Sequence, residues 1–173
     1  MALQTKTIYG STSSSLWTYK IEIDENSIDE DNLTSSVTMR LYLGRSINGS
    51  STYFGGTLTN NYNCDGQTFS ESHYQYENIS PGEYKQIGSH TFTVSNTGSP
   101  TTINVSASMS TGDFTPSSAS ASGTMTLTEI IQGIFRLMIN GVWKKATPYI
   151  RINGVWKKAK AYLGVNGSWK KGV

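Results

Sequence analysis

The sequence predicts an all-β chain: an antiparallel β-sandwich of jelly-roll or immunoglobulin-like type over residues 1–129, then a C-terminal array of short β-hairpin repeats over residues 130–173. Three observations lead there. Apolar and polar residues alternate with a period of two along several runs, the mark of strands that bury one face. Turn-forming clusters punctuate those runs, at Asn48-Gly49, Gly55-Gly56, Asp65-Gly66, Pro81-Gly82 and Asn96-Thr97-Gly98. Finally, RLMINGVWKKATPY, IRINGVWKKAKAY and LGVNGSWKKGV place Asn140, Asn153 and Asn166 at intervals of 13 residues. A tandem copy of this kind is a structural unit.

Taken in order, Trp17, Tyr19, Ile21 and Ile23 alternate with Thr18, Lys20 and Glu22, and Val37, Met39, Leu41 and Leu43 alternate with Thr38, Arg40 and Tyr42. His90, Phe92 and Val94 open a further run, followed by Ile103, Val105, Ala107 and Met109, then Met125 and Leu127. With about seven or eight strands and no segment of helical period, the body reads as a sandwich. Parallel pairing would need crossover segments of a dozen or more residues, and the chain has none. A bridge from Glu129 to Gly133 leads to the repeats.

In each repeat an Asn-Gly pair between β-favouring residues signals a two-residue type I′ turn, which needs positive φ at both positions. That turn sets Met138 opposite Trp143 and Leu137 opposite Lys144. It sets Ile152 opposite Val155, Arg151 opposite Trp156, Ile150 opposite Lys157 and Tyr149 opposite Lys158. In the third copy Gly164 faces Trp169 and Tyr162 faces Lys171. Opposed residues share a face, so each hairpin carries apolar groups on both sides, and Arg151 can lie over the Trp156 ring as a cation–π pair. A lone hairpin is marginal in water. The repeats are therefore expected to bury a face against one another, the body or other chains, and contiguous exposed apolar area marks an interface. The residues expected to carry assembly or binding are Trp143, Trp156, Trp169, Tyr149, Tyr162, Arg151 and the lysine pairs Lys144, Lys145, Lys157, Lys158, Lys170 and Lys171.

Charge separates the two regions. Residues 1–129 hold five basic side chains against all 12 acidic ones, whereas residues 130–173 hold nine basic side chains and no acid. Such asymmetry points to an anionic partner for the C-terminal region or to neighbouring copies that pair acidic body with basic tail. Lysines with interleaved aromatics also suit nucleic acid, although anionic wall polymers and interchain packing fit the repeats better. Cys64 is the one cysteine, which excludes an intrachain disulfide or a tetrathiolate zinc site. The opening MALQTKTIYGSTSSS lacks the apolar core of a secretory signal, and no run approaches a membrane span. A surface-directed chain without an export signal is expected to leave its cell by lysis.

The residues argue against an enzyme. His73 and His90 lie in no nucleophile elbow or metal-spaced cluster, and His90 reads as a half-buried structural residue of its strand. Paired carboxylates can hydrolyse glycosides, but Asp24, Glu25, Asp29, Glu30 and Asp31 crowd into one expected loop rather than flanking a cleft. No cofactor is expected. That acidic loop has enough oxygens to suggest Ca2+, yet lacks the spacing and glycine of an EF-hand loop.

The opening MALQTKTI and the stretch SHTFTVSN…INVSASMSTGDFTPSSASASGTMTLTEI, with its Ser118–Thr124 strand, resemble minor structural proteins of tailed bacteriophages of Gram-positive bacteria. The NG-x-WKKA repeat resembles short Trp-Lys repeats at the ends of phage and prophage tail proteins. The resemblance implies a non-enzymatic virion component of tail, fibre or surface decoration, made in the host cytoplasm. Its expected partners are further copies of itself, with a trimer as the first expectation, and other virion proteins. The alternative is a carbohydrate-binding module that recognises cell-wall glycan through Tyr and Trp on an exposed sheet face.

Overall fold

Alternation carries through into long, paired strands. The computed structural model describes residues 2–30, 32–97, 100–112, 114–130, 136–145, 147–159, 162–165 and 168–171, and strands are the only regular elements among them. The chain divides into two compact units, residues 1–130 and 131–173.

In the first unit β1 (Gln4–Thr12), β2 (Trp17–Asp29), β3 (Thr34–Arg45), β4 (Thr52–Cys64), β5 (Gln67–Ile79), β6 (Tyr84–Ser95), β7 (Thr102–Thr111) and β8 (Ser118–Thr126) make one antiparallel sheet, ordered β5-β4-β7-β8-β1-β2-β3-β6. This differs from the two separate sheets of a sandwich. The reason lies in β1, whose Gln4–Gly10 stretch pairs with β2 while Ser11 and Thr12 pair with Ser120 and Ala119 of β8. Gly10 stands at that change of partner, where a Cβ would lie 2.1 Å from the Ser120 carbonyl oxygen. Only a residue without a side chain lets the two halves join there.

The sheet then curls until its margins, β5 and β6, meet and nearly close a barrel. Side-chain amides bridge the remaining seam: Gln67 Nε2 donates to the Thr93 carbonyl at 2.7 Å, Gln75 Nε2 to the Gln86 carbonyl at 3.1 Å and Asn60 Nδ2 to the Ile87 carbonyl at 2.7 Å. Inside lies the core, with Tyr19, Ile21 and Ile23 against Val37, Met39, Leu41 and Leu43 on one wall, and Leu58, Tyr62, Ile103, Val105 and Met109 on the other. Each buried aliphatic side chain stabilises the fold by roughly 1.5–3 kcal/mol. Cys64 is buried among them, and burial together with the neighbouring Asp65 charge pushes its thiol up to about 12, so it packs as a small hydrophobe.

One end of the barrel is held by a buried polar cluster. The Glu25 carboxylate accepts from Ser35 Oγ at 2.7 Å, from the Thr128 backbone N–H at 2.8 Å and from Thr128 Oγ1 at 2.5 Å. Asn96 Nδ2 donates to Ser35 Oγ at 2.9 Å and to the Thr128 carbonyl at 2.8 Å. The chain leaving β8 is thereby tied to β2, β3 and the end of β6. The expected acidic loop is thus largely strand: Asp24 and Glu25 lie within β2, and the turn follows only after Asp29.

Gly55-Gly56 is likewise strand rather than turn, in the middle of β4. A Cβ on Gly55 would meet the Tyr76 ring at 2.3 Å and one on Gly56 the Phe114 ring at 1.8 Å. The pair lets two aromatic rings come close to the backbone.

In the second unit β9 (Arg136–Ile139) pairs with β10 (Val142–Lys145), β11 (Tyr149–Ile152) with β12 (Val155–Lys158), and β13 (Tyr162–Val165) with β14 (Ser168–Lys171). Asn140 and Gly141 have φ of 54° and 75°, and Asn153 and Gly154 have φ of 50° and 81°, as a type I′ turn requires.

Candidate functional site

Two surfaces carry chemistry, one in each unit. In the second unit, Trp143, Trp156 and Trp169 occupy the same register position, paired with Met138, Arg151 and Gly164. Lys144, Lys157 and Lys170 pair with Leu137, Ile150 and Leu163, and Lys145, Lys158 and Lys171 with Arg136, Tyr149 and Tyr162. The side chains of Trp143, Lys144, Lys145, Tyr162, Trp169, Lys170 and Lys171 lie outside the described residues, so side-chain geometry is drawn from the middle hairpin.

There the cross-strand pairs Tyr149–Lys158 and Arg151–Trp156 share one face, and Ile150–Lys157 and Ile152–Val155 share the other. Both faces are open: Trp156 is 65% exposed, Val155 59% and Ile150 48%. Arg151 turns its Nε to the Gly154 carbonyl at 3.2 Å, bracing the turn, where the sequence pairs its guanidinium with the Trp156 ring. The Ala159 N–H donates to the Pro148 carbonyl at 2.8 Å and closes the open end of the ribbon.

In the first unit the outer surface has two characters. Over β2 and β3 it is charged and paired. Lys20 Nζ lies 2.6 Å from Glu22 and over the rings of Tyr42 and Tyr84, 4.8 and 4.6 Å from their centroids. The hydrogen bond from Lys20 holds the Glu22 carboxyl below its ordinary range. Burial would raise Asp24, but its hydrogen bonds from Arg40 and Thr5 outweigh that and hold it low.

Over β8, β7, β4 and β5 the outer surface is neutral. Cross-strand pairing lines up Ser11, Ser120, Ser108, Asn61 and Ser70 in one row, and Ser122, Ser106, Asn63 and Thr68 in the next. These rows line an open depression of about 800 Å³, walled at one side by Tyr9, with no Lys, Arg, Asp or Glu in its lining. Along the same face of β4 and β5 follow Thr59–Ser72, Thr57–Tyr74 and Gly55–Tyr76. Tyr53 stacks on Tyr76, with centroids 5.4 Å apart and planes at 19°, yet both rings stay largely in solvent, as do Tyr74 and Tyr9.

The sequence reading missed this tyrosine group because its members lie on different strands. A signal was available: counting outward from the Asp65-Gly66 turn sets Gly55 opposite Tyr76.

Other candidates dissolve into structure. His90 stacks on Phe69 at 3.6 Å between centroids, a packing role. His73 Nε2 lies 3.4 Å from Gln75 Oε1. Glu25 is consumed by Ser35 and Thr128, Asp24 by Arg40 and Thr5, and Asp29 accepts from the Asn32 N–H at 3.0 Å and from Asn32 Nδ2 at 2.7 Å. Asp31 lies outside the described residues. Among the described residues no three His, Cys, Asp or Glu side chains gather to hold a metal ion. Comparison of the chain with protein-family models, with curated proteins and with solved structures finds no match.

Proposed function

We propose that the chain is a non-enzymatic structural protein of a phage particle, a tail, fibre or decoration component that self-assembles through its C-terminal repeats. The observation that carries the reading is the hairpin Tyr149–Lys158, which holds Trp156 and Tyr149 open on one face and Ile150, Ile152 and Val155 open on the other. A four-residue-armed ribbon with apolar groups on both sides is not stable by its own contacts. Neighbouring chains that clasp it would remove that area from water, at about 25 cal/mol per Å². The charge division supports the same reading, since nine basic groups against no acid in residues 130–173 complement the acidic excess of residues 1–129 in an adjoining copy. A three-fold assembly is the arrangement proposed, with other particle proteins as further partners and the virion as the place of action.

The test is mass in solution. Full-length chain run on size-exclusion with light scattering is expected to be oligomeric, and deletion of residues 134–173 to give a monomer. Trp156→Ser combined with Ile152→Ser, which keeps the length, is expected to shift the equilibrium toward monomer. A full-length chain of monomeric mass, or an oligomer indifferent to both changes, overturns the reading.

A further inference from the structure

We infer that the neutral outer face of β4 and β5, continued onto β7 and β8, is a binding site for a neutral oligosaccharide, with Tyr53 and Tyr76 as its stacking platform. This stands apart from assembly through the repeats. The platform is built rather than incidental. Gly55 lies against the edge of the Tyr76 ring, where a Cβ would come within 2.3 Å of it, and Tyr53 stacks on that ring with centroids 5.4 Å apart. The ring is held in place by Tyr53 without being covered: it is 61% exposed. An aromatic face fixed in water offers a pre-set surface to the C–H side of a sugar ring, with little rotamer entropy left to lose on binding.

The rest of the face fixes the ligand class. From Ser70 to Tyr76 the strand runs for roughly 20 Å, long enough for several linked sugar rings. Beside it lie Asn61, Thr59 and Thr57, with Thr59 and Ser72 hydroxyls 3.3 Å apart. Hydroxyl groups donate and accept at once, and carboxamides do both through separate atoms, which matches the hydroxyls and acetamides of a sugar. The depression at the far end, about 800 Å³, falls within the size range of small-ligand sites and contains no charged residue. A phosphate- or sulfate-bearing polymer would find no cation there to offset its charge. Serine, which recurs through these rows, is depleted at protein interfaces.

The experiment is calorimetric titration of the full chain with chitohexaose, cellohexaose and maltohexaose, and separately with inorganic polyphosphate. Saturable binding of at least one neutral sugar is expected, little changed by added salt because no ion pair is involved. Tyr76→Ala and Tyr53→Ala are each expected to weaken it about tenfold or more, and Gly55→Ala, which tilts the ring, by a similar factor. Thermal midpoints check that these variants fold. Trp156→Ser is expected to leave the affinity unchanged, which keeps this result separate from assembly. Absence of heat with all three sugars overturns the inference. So does salt-sensitive binding of polyphosphate alone, or sugar binding that survives Tyr76→Ala but is lost in Trp156→Ser.

Discussion

The eight-strand sheet and the Tyr149–Lys158 hairpin use the same local code and meet opposite fates. In both, β-favouring residues pair across tight turns, at every second position in β2 and β3 but on both faces of the hairpin, where Tyr149 adjoins Ile150 and Val155 adjoins Trp156. In β2 and β3 those positions are buried, because the sheet curls and supplies a facing wall. In β11 and β12 every residue is exposed, because two short strands have no wall of their own. β-favouring residues therefore specify a strand but not what covers it. Coverage depends on how many strands the chain contributes and whether their margins meet.

That contrast can be attacked by substitution, starting where the effect is greatest. Leu41→Ala removes a fully buried side chain and is expected to cost about 2–5 kcal/mol in urea unfolding. Ile152→Ala, on the open hairpin, is expected to leave the unfolding of the body within about 0.5 kcal/mol. Equal costs at the two sites would erase the distinction.

The buried polar cluster comes next. Glu25→Ala strands the Thr128 N–H and the Ser35 hydroxyl that now donate to the carboxylate, for an expected loss of about 2–4 kcal/mol. If unfolding is unaffected, the end of the barrel is not held by this carboxylate.

Acid should act more gently. Glu22 and Asp24 are held below their ordinary values of 4.5 and 3.8. Their contribution is therefore complete above those values and is lost as pH falls through the lower, folded-state values. Because the pairs are partly solvated, about 1 kcal/mol or less per pair is at stake. Stability measured from pH 6 downward should fall below about pH 4.5, and less so in a Lys20→Met, Arg40→Met double variant. A steeper fall in that variant would contradict the assignment.

Smallest of all is Tyr19→Phe. The Tyr19 hydroxyl is buried with no protein hydrogen-bond partner, and burial raises its pKa. Its removal should be neutral or stabilising by up to about 1 kcal/mol, read as a small rise in thermal midpoint. A loss above that size would mean that the hydroxyl is satisfied in solution.

Legibility in the sequence followed the same physics. The strands β2, β3, β6, β7 and β8 are readable because their inward positions are mostly apolar or small and their outward ones mostly polar. In β5 the inward positions include Glu71, His73 and Gln75, which lie along the seam and are only half-buried, so alternation fails as a signal. β4 hides a buried Asn60, whose amide crosses that seam, and a Gly-Gly pair that imitates a turn while seating rings. β1 carries little more than Ile8 toward the core. The hairpin register of the repeats could be written down from Asn-Gly alone, whereas the tyrosine platform depends on which residues two strands bring side by side.

The seam has a further consequence. An open sheet invites a stranger's backbone to lengthen it, the route by which many β-proteins polymerise without control. Here the carbonyls of Thr93, Gln86 and Ile87 already accept hydrogen bonds from the chain's own glutamine and asparagine amides. A strand from another chain would have to displace those amides before its own backbone could pair at these rungs.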